Sequence, residues 1–420
     1  MKKSVYTLLQ SKSKTWSLQW FTSLFFLALF AFPLFPLKVT NVILIAFSAS
    51  TLISFLIHPI PIKKIVLHNL VFVIPFLPYL IEYSIFSFNP EAHFEFEKKL
   101  FFFTAPFFIP VFIQITGFKN YRLPLMIFAI SLCVLTTYTL LILSYKGIPF
   151  INTNYENGTY ILRENFERIS GLHPTYYSIF ALSSACCLLL HFATSKTWLR
   201  LLSIFLAIML VITVLLLAVK IAFITIAVFL VTRIIKTNIN PIRKLALGSF
   251  AIAAFMLTLF TVPSLNKRMM EIASWQEAQS IDNNTVSQRV SILNCSLQVF
   301  SEHLLVGTGS RNFQKELDNC YQSKAWGKGN EQHFNPHNQF LSIGINYGMV
   351  TMLAFLVCLF LIFKKIRRFK EGIYFALAIF LFFLSESMLE RQMGIFFFGL
   401  IALLLYNNNS HSISQKSVLL

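Results

Sequence analysis

A histidine directly behind a proline opens one of the apolar runs of this 420-residue chain, in Asn335-Pro-His-Asn-Gln-Phe-Leu-Ser-Ile-Gly-Ile-Asn-Tyr-Gly348. Proline is favoured in the first turn of a helix, so the helix is expected to begin at Pro336 and His337. That sets the His337 imidazole beside backbone N–H groups with no partner yet, a place suited to an anion or to proton transfer near neutral pH. An interfacial histidine with no chemical task is the plainer reading. Lys220 stands between two apolar runs, 199–219 and 221–235, with no turn residue nearby. A lysine that snorkels to mark a helix end would look the same there as a fixed cation aimed at an anionic headgroup. In Leu172-His-Pro-Thr-Tyr-Tyr-Ser178, His173, Tyr176 and Tyr177 could bind sugar, since aromatic faces pack on pyranose rings; an aromatic belt at a membrane surface has the same composition. Glu386, Glu390 and Arg391 fall where two apolar runs turn. Their spacing puts both carboxylates on one helix face. That suits either a structural pair of Glu390 with Arg391 or Lys220, or a role in positioning a substrate.

The elements that must position these residues are apolar and long. The chain is 56% hydrophobic and only 12% charged, has a mean hydropathy of +0.67 and carries 47 Phe, a composition suited to lipid rather than water as solvent. A bilayer core needs about 20 mostly apolar residues per helix. Apolar segments fall near 20–37, 40–57, 65–87, 100–116, 122–144, 174–194, 198–217, 221–235, 245–262, 338–363, 373–388 and 393–406. The expectation is therefore an all-α polytopic membrane protein of about twelve transmembrane helices with both termini on one side. The first apolar run has no small-residue cleavage site behind it and reads as a retained helix.

The formal net charge of +18 then finds its explanation in topology. With twelve spans, 20 of the 35 basic residues fall on the side of the termini, in short loops such as Lys63-Lys64 and Lys364-Lys365-Ile-Arg-Arg368, joined by the single acid Glu371. Short basic loops mark the cytoplasmic face. The basic balance is thus not a nucleic-acid signal, and 16 of the 17 acids lie at or beyond the other face. Residues 1–262 would hold helices 1–9, 263–336 a large helical outer loop, 337–407 helices 10–12, and 408–420 a cytoplasmic tail. The segment 89–99 reads as a short acidic outer loop, and 146–173 as a longer one with Asn-Gly turn chemistry. Within the large loop, Thr285-Val-Ser-Gln288 resembles a capping box, and Val286, Val290, Leu293, Leu297 and Phe300 form the expected buried stripe of the helix behind it. Arg168, Arg311 and His333 read as solvated. Cys295 and Cys320 share this loop and are either a disulfide or two free thiols; the spacing does not choose. No zinc-ligand spacing and no Gly-rich phosphate loop is present, so neither a metal site nor ATP-driven transport is supported. Gly344 and Gly348, four apart, could let a neighbouring helix approach closely.

His337-Asn338, nine residues, Gly348, two residues and then Thr351 resembles the signature of the O-antigen ligase and polymerase superfamily. The large loop before it also looks like that family's periplasmic loop, including an arginine early in its first helix, here Arg289. Many members have an arginine at the short outer turn where this chain has Lys220, which keeps the charge but loses the bidentate fork. The resemblance covers roughly 173–398. It implies a GT-C-type glycosyltransferase in the bacterial inner membrane, moving a glycan from an undecaprenyl-diphosphate carrier to an acceptor hydroxyl, in the ligases that of a lipid A–core sugar. His337, Arg289 and Lys220 would be catalytic, without metal or other cofactor, and the anomeric centre would invert. Asn338, His173, Tyr176, Tyr177, Glu386, Glu390 and Arg391 would contact substrate. A polysaccharide polymerase and a protein O-glycosyltransferase use the same donor. A transporter without catalysis fits less well, because its charges belong at mid-membrane between repeats.

Overall fold

The computed structural model describes residues 18–86, 88–150, 158–191, 196–237, 285–323 and 334–408, with a few positions between 240 and 253. Most of the expected span at 245–262, residues 263–284 and 324–333 of the large loop with His333, and the tail from 409 lie outside the described residues. All elements are helical, and no strand occurs among the described residues. They are α1 Leu18–Phe30, α2 Leu37–Ile57, α3 Ile62–Asn69, α4 Leu77–Ile85, α5 Pro90–Lys99, α6 Phe101–Thr116, α7 Arg122–Tyr145 and α8 Gly158–Ser170. They continue with α9 Pro174–His191, α10 Thr197–Leu216, α11 Lys220–Lys236, α12 Thr285–Glu302, α13 Ser310–Ser323, α14 Gln339–Ile366, α15 Lys370–Ser385 and α16 Gln392–Asn407.

Among the described residues five helices are long and apolar enough to cross a membrane, or six if the pair bent by 58° over 62–85 is one span. This is a membrane protein, with fewer full-length spans visible than the twelve apolar runs. The difference has a physical source. α15 and α16 are 16 residues each, about 24 Å at 1.5 Å per residue against a hydrocarbon core of about 30 Å. α16 is instead apolar all round and buried all round, from Ile395 to Tyr406, as a central core helix should be. α9 is buried nearly as completely. Around them packs one large core rich in phenylalanine, including Phe32, Phe128, Phe180 and Phe397.

Two stretches read as loops are helices. Residues 89–99 are not a loop: Asn89 caps α5 by accepting from the Ala92 N–H at 3.0 Å, with Pro90 in the first turn. In 158–170 the amphipathic α8 buries Leu162 and Phe166. The buried face of α12 also differs from the expected stripe. Ile292, Cys295, Ser296 and Val299 point inward, while Leu293 and Leu297 are exposed. The Cys295–Cys320 disulfide, with Cα atoms 5.8 Å apart, ties α12 to α13 and fixes that face. The pair forms a second small core with Leu317 and Tyr321 over Leu341 and Ile345 of α14.

This hairpin is joined to α14 by backbone. α14 breaks at Tyr347 and at Gly348 (φ +79°), exposing carbonyls that a straight helix would occupy. Thr308 N–H donates to Ile345 O at 2.8 Å, Gly309 N–H to Asn346 O at 2.9 Å, and Met349 N–H to Leu304 O at 2.7 Å. A Cβ at Gly348 would lie 2.0 Å from Leu305 O. The close approach expected at this glycine is real, but it admits the backbone of the α12–α13 hairpin rather than a membrane helix. Glu82 of α4 secures the same corner, accepting from Ser310 N–H at 3.0 Å, Arg311 Nε at 3.3 Å and the Tyr347 hydroxyl at 2.5 Å. Arg311, read as solvated, is therefore an ion-pair partner, with its guanidinium 3.5 Å from the Phe86 ring centre.

Candidate active site

His173, Lys220, Arg289, His337 and Glu386 come from five segments and line one cavity of about 370 Å³. Its core is a relay of three side chains. Arg289 Nη2 donates to Glu386 Oε1 at 2.8 Å, and His337 Nδ1 lies 3.0 Å from Glu386 Oε2. Glu386 is only 7% exposed, whereas Arg289 is 44% and His337 30% exposed, so the carboxylate sits behind the two groups that face the cavity. Burial pushes the Glu386 carboxyl up. The His337 hydrogen bond, with the charge of Arg289, outweighs it and holds the group below the usual carboxylate range. An ionised carboxylate against Nδ1 keeps the ring proton there and leaves Nε2 of neutral His337 as a proton acceptor.

His173 carries the opposite tautomer. Its Nδ1 accepts from the Thr175 N–H at 3.3 Å, which leaves the proton on Nε2. Burial, with Glu386 opposing, pushes this imidazole down to about 4, so it stays neutral at physiological pH. The cavity thus offers one ring as a base and one as a donor.

The backbone is strained at two places on the cavity wall. Ala218 (φ +49°) and His337 (φ +47°) are the two non-glycine residues in the left-handed region among those described. Both line the cavity, and such conformations cost on the order of 1–3 kcal/mol each. The turn at Ala218 starts α11 at Lys220 without a glycine or proline, which is why no turn signal stands in the sequence. No side chain caps α11, and Ala218, Val219 and Ile221 line the cavity beside Lys220. An uncapped N-terminus with a lysine in its first turn favours anions.

The expected start of α14 is corrected by the same logic. Pro336 and His337 precede the helix; Asn338 is its cap, accepting from Phe340 and Leu341 N–H at 3.0 Å each and donating to Leu384 O at 3.2 Å. The N–H groups expected to meet an anion there are taken by Asn338. Four further residues chosen from the sequence lie off the cavity. Tyr177 is fully buried with its hydroxyl 2.9 Å from Thr136 Oγ1. The Tyr176 hydroxyl donates to Ser387 O and Met388 O at 3.4 Å. Arg391 stacks over Tyr176, 5.7 Å from the ring centre. Glu390 pairs with Lys99 at 3.0 Å. Glu386 and Glu390 do not share a helix face: α15 ends at Ser385, Glu386 is extended (φ −152°), and Met388–Glu390 is a separate 3-10 turn. Sequence reasoning missed Arg163 and Gln288, which also line the cavity. The four- and three-residue spacing of Leu162, Phe166 and Ile169 was the available signal for the helix that carries Arg163.

Fold and site together describe a helical membrane protein in which a histidine–carboxylate pair and several cations converge on one cavity. Residues 175–356 match the family described as O-antigen ligase. That match supports the resemblance to the O-antigen ligase and polymerase superfamily, a family of membrane glycosyl-transfer enzymes, carried by His337, Asn338 and Gly348. It contains Lys220, Arg289 and His337; His173 falls just before it and Glu386 beyond its end. No curated protein matches the chain.

Proposed function

We propose that this protein is a glycan ligase of the bacterial inner membrane, with a GT-C-type architecture and its site on the periplasmic face. It takes a glycan from an undecaprenyl-diphosphate carrier and attaches it to a hydroxyl of lipid A–core. The single observation that carries the reading is the Arg289–Glu386–His337 relay opening on the cavity that also holds Lys220.

In this reaction His337 Nε2 removes the proton from the acceptor hydroxyl as its oxygen attacks the anomeric carbon. The bond from that carbon to the diphosphate oxygen breaks, with inversion, and the electron pair leaves on the diphosphate. Glu386 stabilises the imidazolium that forms. Negative charge grows on the leaving group as the bond breaks, so Lys220, the α11 N-terminus and the donors of Arg289 not engaged by Glu386 act most strongly in the transition state. No step calls for a metal.

The test is attachment of glycan in cells that depend on this chain. His337→Ala and Arg289→Ala are each expected to abolish it at unchanged protein level in the membrane, and wild-type attachment in both would overturn the reading. A deletion strain separates the ligase from a polymerase. Long glycan stranded on its lipid carrier supports ligation, whereas a core bearing a single repeat unit would assign polymerisation instead.

A further inference from the structure

A second, larger cleft of about 660 Å³ lies on the other side of the segment 334–338 that carries His337. α5 and α13 form two of its walls. The remaining wall alternates with that of the first cavity. Phe334 and His337 line the first and Asn335 the second; Glu386 lines the first, Glu390 and Arg391 the second. Asn335 Oδ1 accepts the His337 N–H at 3.0 Å, so the base is positioned by a residue of the second cleft.

The chemistry of this cleft suits neither an anion nor a cation. Four carboxylates (Glu91, Glu95, Asp318, Glu390) face four cations (Lys98, Arg311, Lys315, Arg391). Much of that charge is already paired, Lys98 with Glu95 at 2.5 Å, Glu390 with Lys99 at 3.0 Å and Arg311 with Glu82 at 3.3 Å. No group of acids, histidines or cysteines among the described residues could hold a metal ion. What remains is a set of side-chain amides: Asn319 and Gln322 on α13, with the Oε1 of Gln314, the Nδ2 of Asn335 and the Oδ1 of Asn346, whose other amide atoms bond to Asp318, the His337 N–H and Ser342 O. Amides and carboxylates supply paired donors and acceptors, which vicinal hydroxyls of a sugar satisfy and a hydrocarbon or a phosphate does not. The volume falls within the range of about 300–1,000 Å³ usual for small-ligand sites.

We propose that this cleft binds the uncharged saccharide end of the acceptor, delivering its hydroxyl past Asn335 to His337. The inference rests on the glycosyl-transfer reading but is tested by binding as well as by turnover. Asn319 and Gln322 are solvent-exposed on α13, so their truncation leaves the core intact. The full chain in lipid nanodiscs is titrated with dephosphorylated core oligosaccharide freed of lipid A. The wild type and His337→Ala are expected to bind it alike, and the Asn319→Ala/Gln322→Ala double variant at least about tenfold more weakly. In a transfer assay that variant raises the acceptor KM about tenfold, with kcat and the donor KM within about twofold. Equal saccharide binding by the double variant and the wild type, or no binding by the wild type, overturns the proposal. Loss of binding in the variant upholds the cleft even where His337→Ala shows that the transfer reading has failed.

Discussion

His337 and Glu386 are 49 residues apart in sequence and 3.0 Å apart in the cavity, and Glu386 bridges the histidine to Arg289. In the proposed reaction that carboxylate fixes which ring nitrogen serves as the base. Glu386→Gln keeps the shape but removes the charge that holds the proton on Nδ1. It is expected to lower kcat by about 10²–10⁴-fold with little change in donor KM, a range set by what an oriented general base contributes. Steady-state kinetics on the variant in nanodiscs check this, and an unchanged kcat would remove Glu386 from the mechanism.

The same carboxylate makes a pH-dependent contribution to stability. Its folded pKa lies below the ordinary 4.5. The contribution is therefore complete above that value and is lost as pH falls through the lowered folded pKa. Melting temperature against pH should show the wild type ahead of Glu386→Gln at neutral pH, with the gap closing below about pH 4.5.

His173 works in a different window. Its pKa falls from 6.5 to about 4 in the folded protein. Between those values the unfolded chain binds the proton and the folded one does not, so stability rises with pH from about 4 to 6.5 and is complete above. His173→Gln should flatten that part of the profile. It should leave in place any activity limb near neutrality, since His173 is already neutral there.

Gly348→Ala tests the break in α14. A Cβ would meet Leu305 O at 2.0 Å, and the φ of +79° is unfavourable to alanine even without the clash. Gly117→Ala (φ +64°) is the control, because nothing lies within 4 Å of its Cβ. The control should cost about 1 kcal/mol and Gly348→Ala at least twice that. Faster proteolysis at 303–309 should accompany Gly348→Ala alone.

Cys295 and Cys320 close a loop of 25 residues and hold the helix on which Arg289 rides. Cys295→Ser/Cys320→Ser should cost about 2–5 kcal/mol and lower transfer by loosening Arg289. Thiol labelling of the unfolded wild type with and without reductant reports whether the bond is present.

The membrane class and the convergence of His173, Lys220, Arg289, His337 and Glu386 were legible from hydropathy, the basic loops and one motif. Each relies on a pattern local in sequence. What stayed hidden depends on contacts distant in sequence. Lys99 gave no sign that it would be fully buried against Glu390, 291 residues away. Tyr177 looks like an interfacial aromatic until α9 is seen to run through the core. Ala218 makes a left-handed turn that its residue type does not announce, because packing around the cavity overrides local preference. The helix-face argument for Glu386 and Glu390 failed because it assumed α15 continued one turn further.

The backbone seam between the α12–α13 hairpin and α14 has a consequence for how the chain is made. Thr308 and Gly309 find their acceptors on Ile345 and Asn346, 37 residues later. A ribosome adding about 5–20 residues per second supplies those carbonyls some seconds after the hairpin has emerged. Until then Arg289 has neither His337 nor Glu386 to align with. The hairpin must therefore wait, disulfide made or unmade, for the final helices to be inserted. The cavity is therefore complete only once residue 386 has been made, and a chain ending before it lacks the carboxylate that bridges Arg289 and His337.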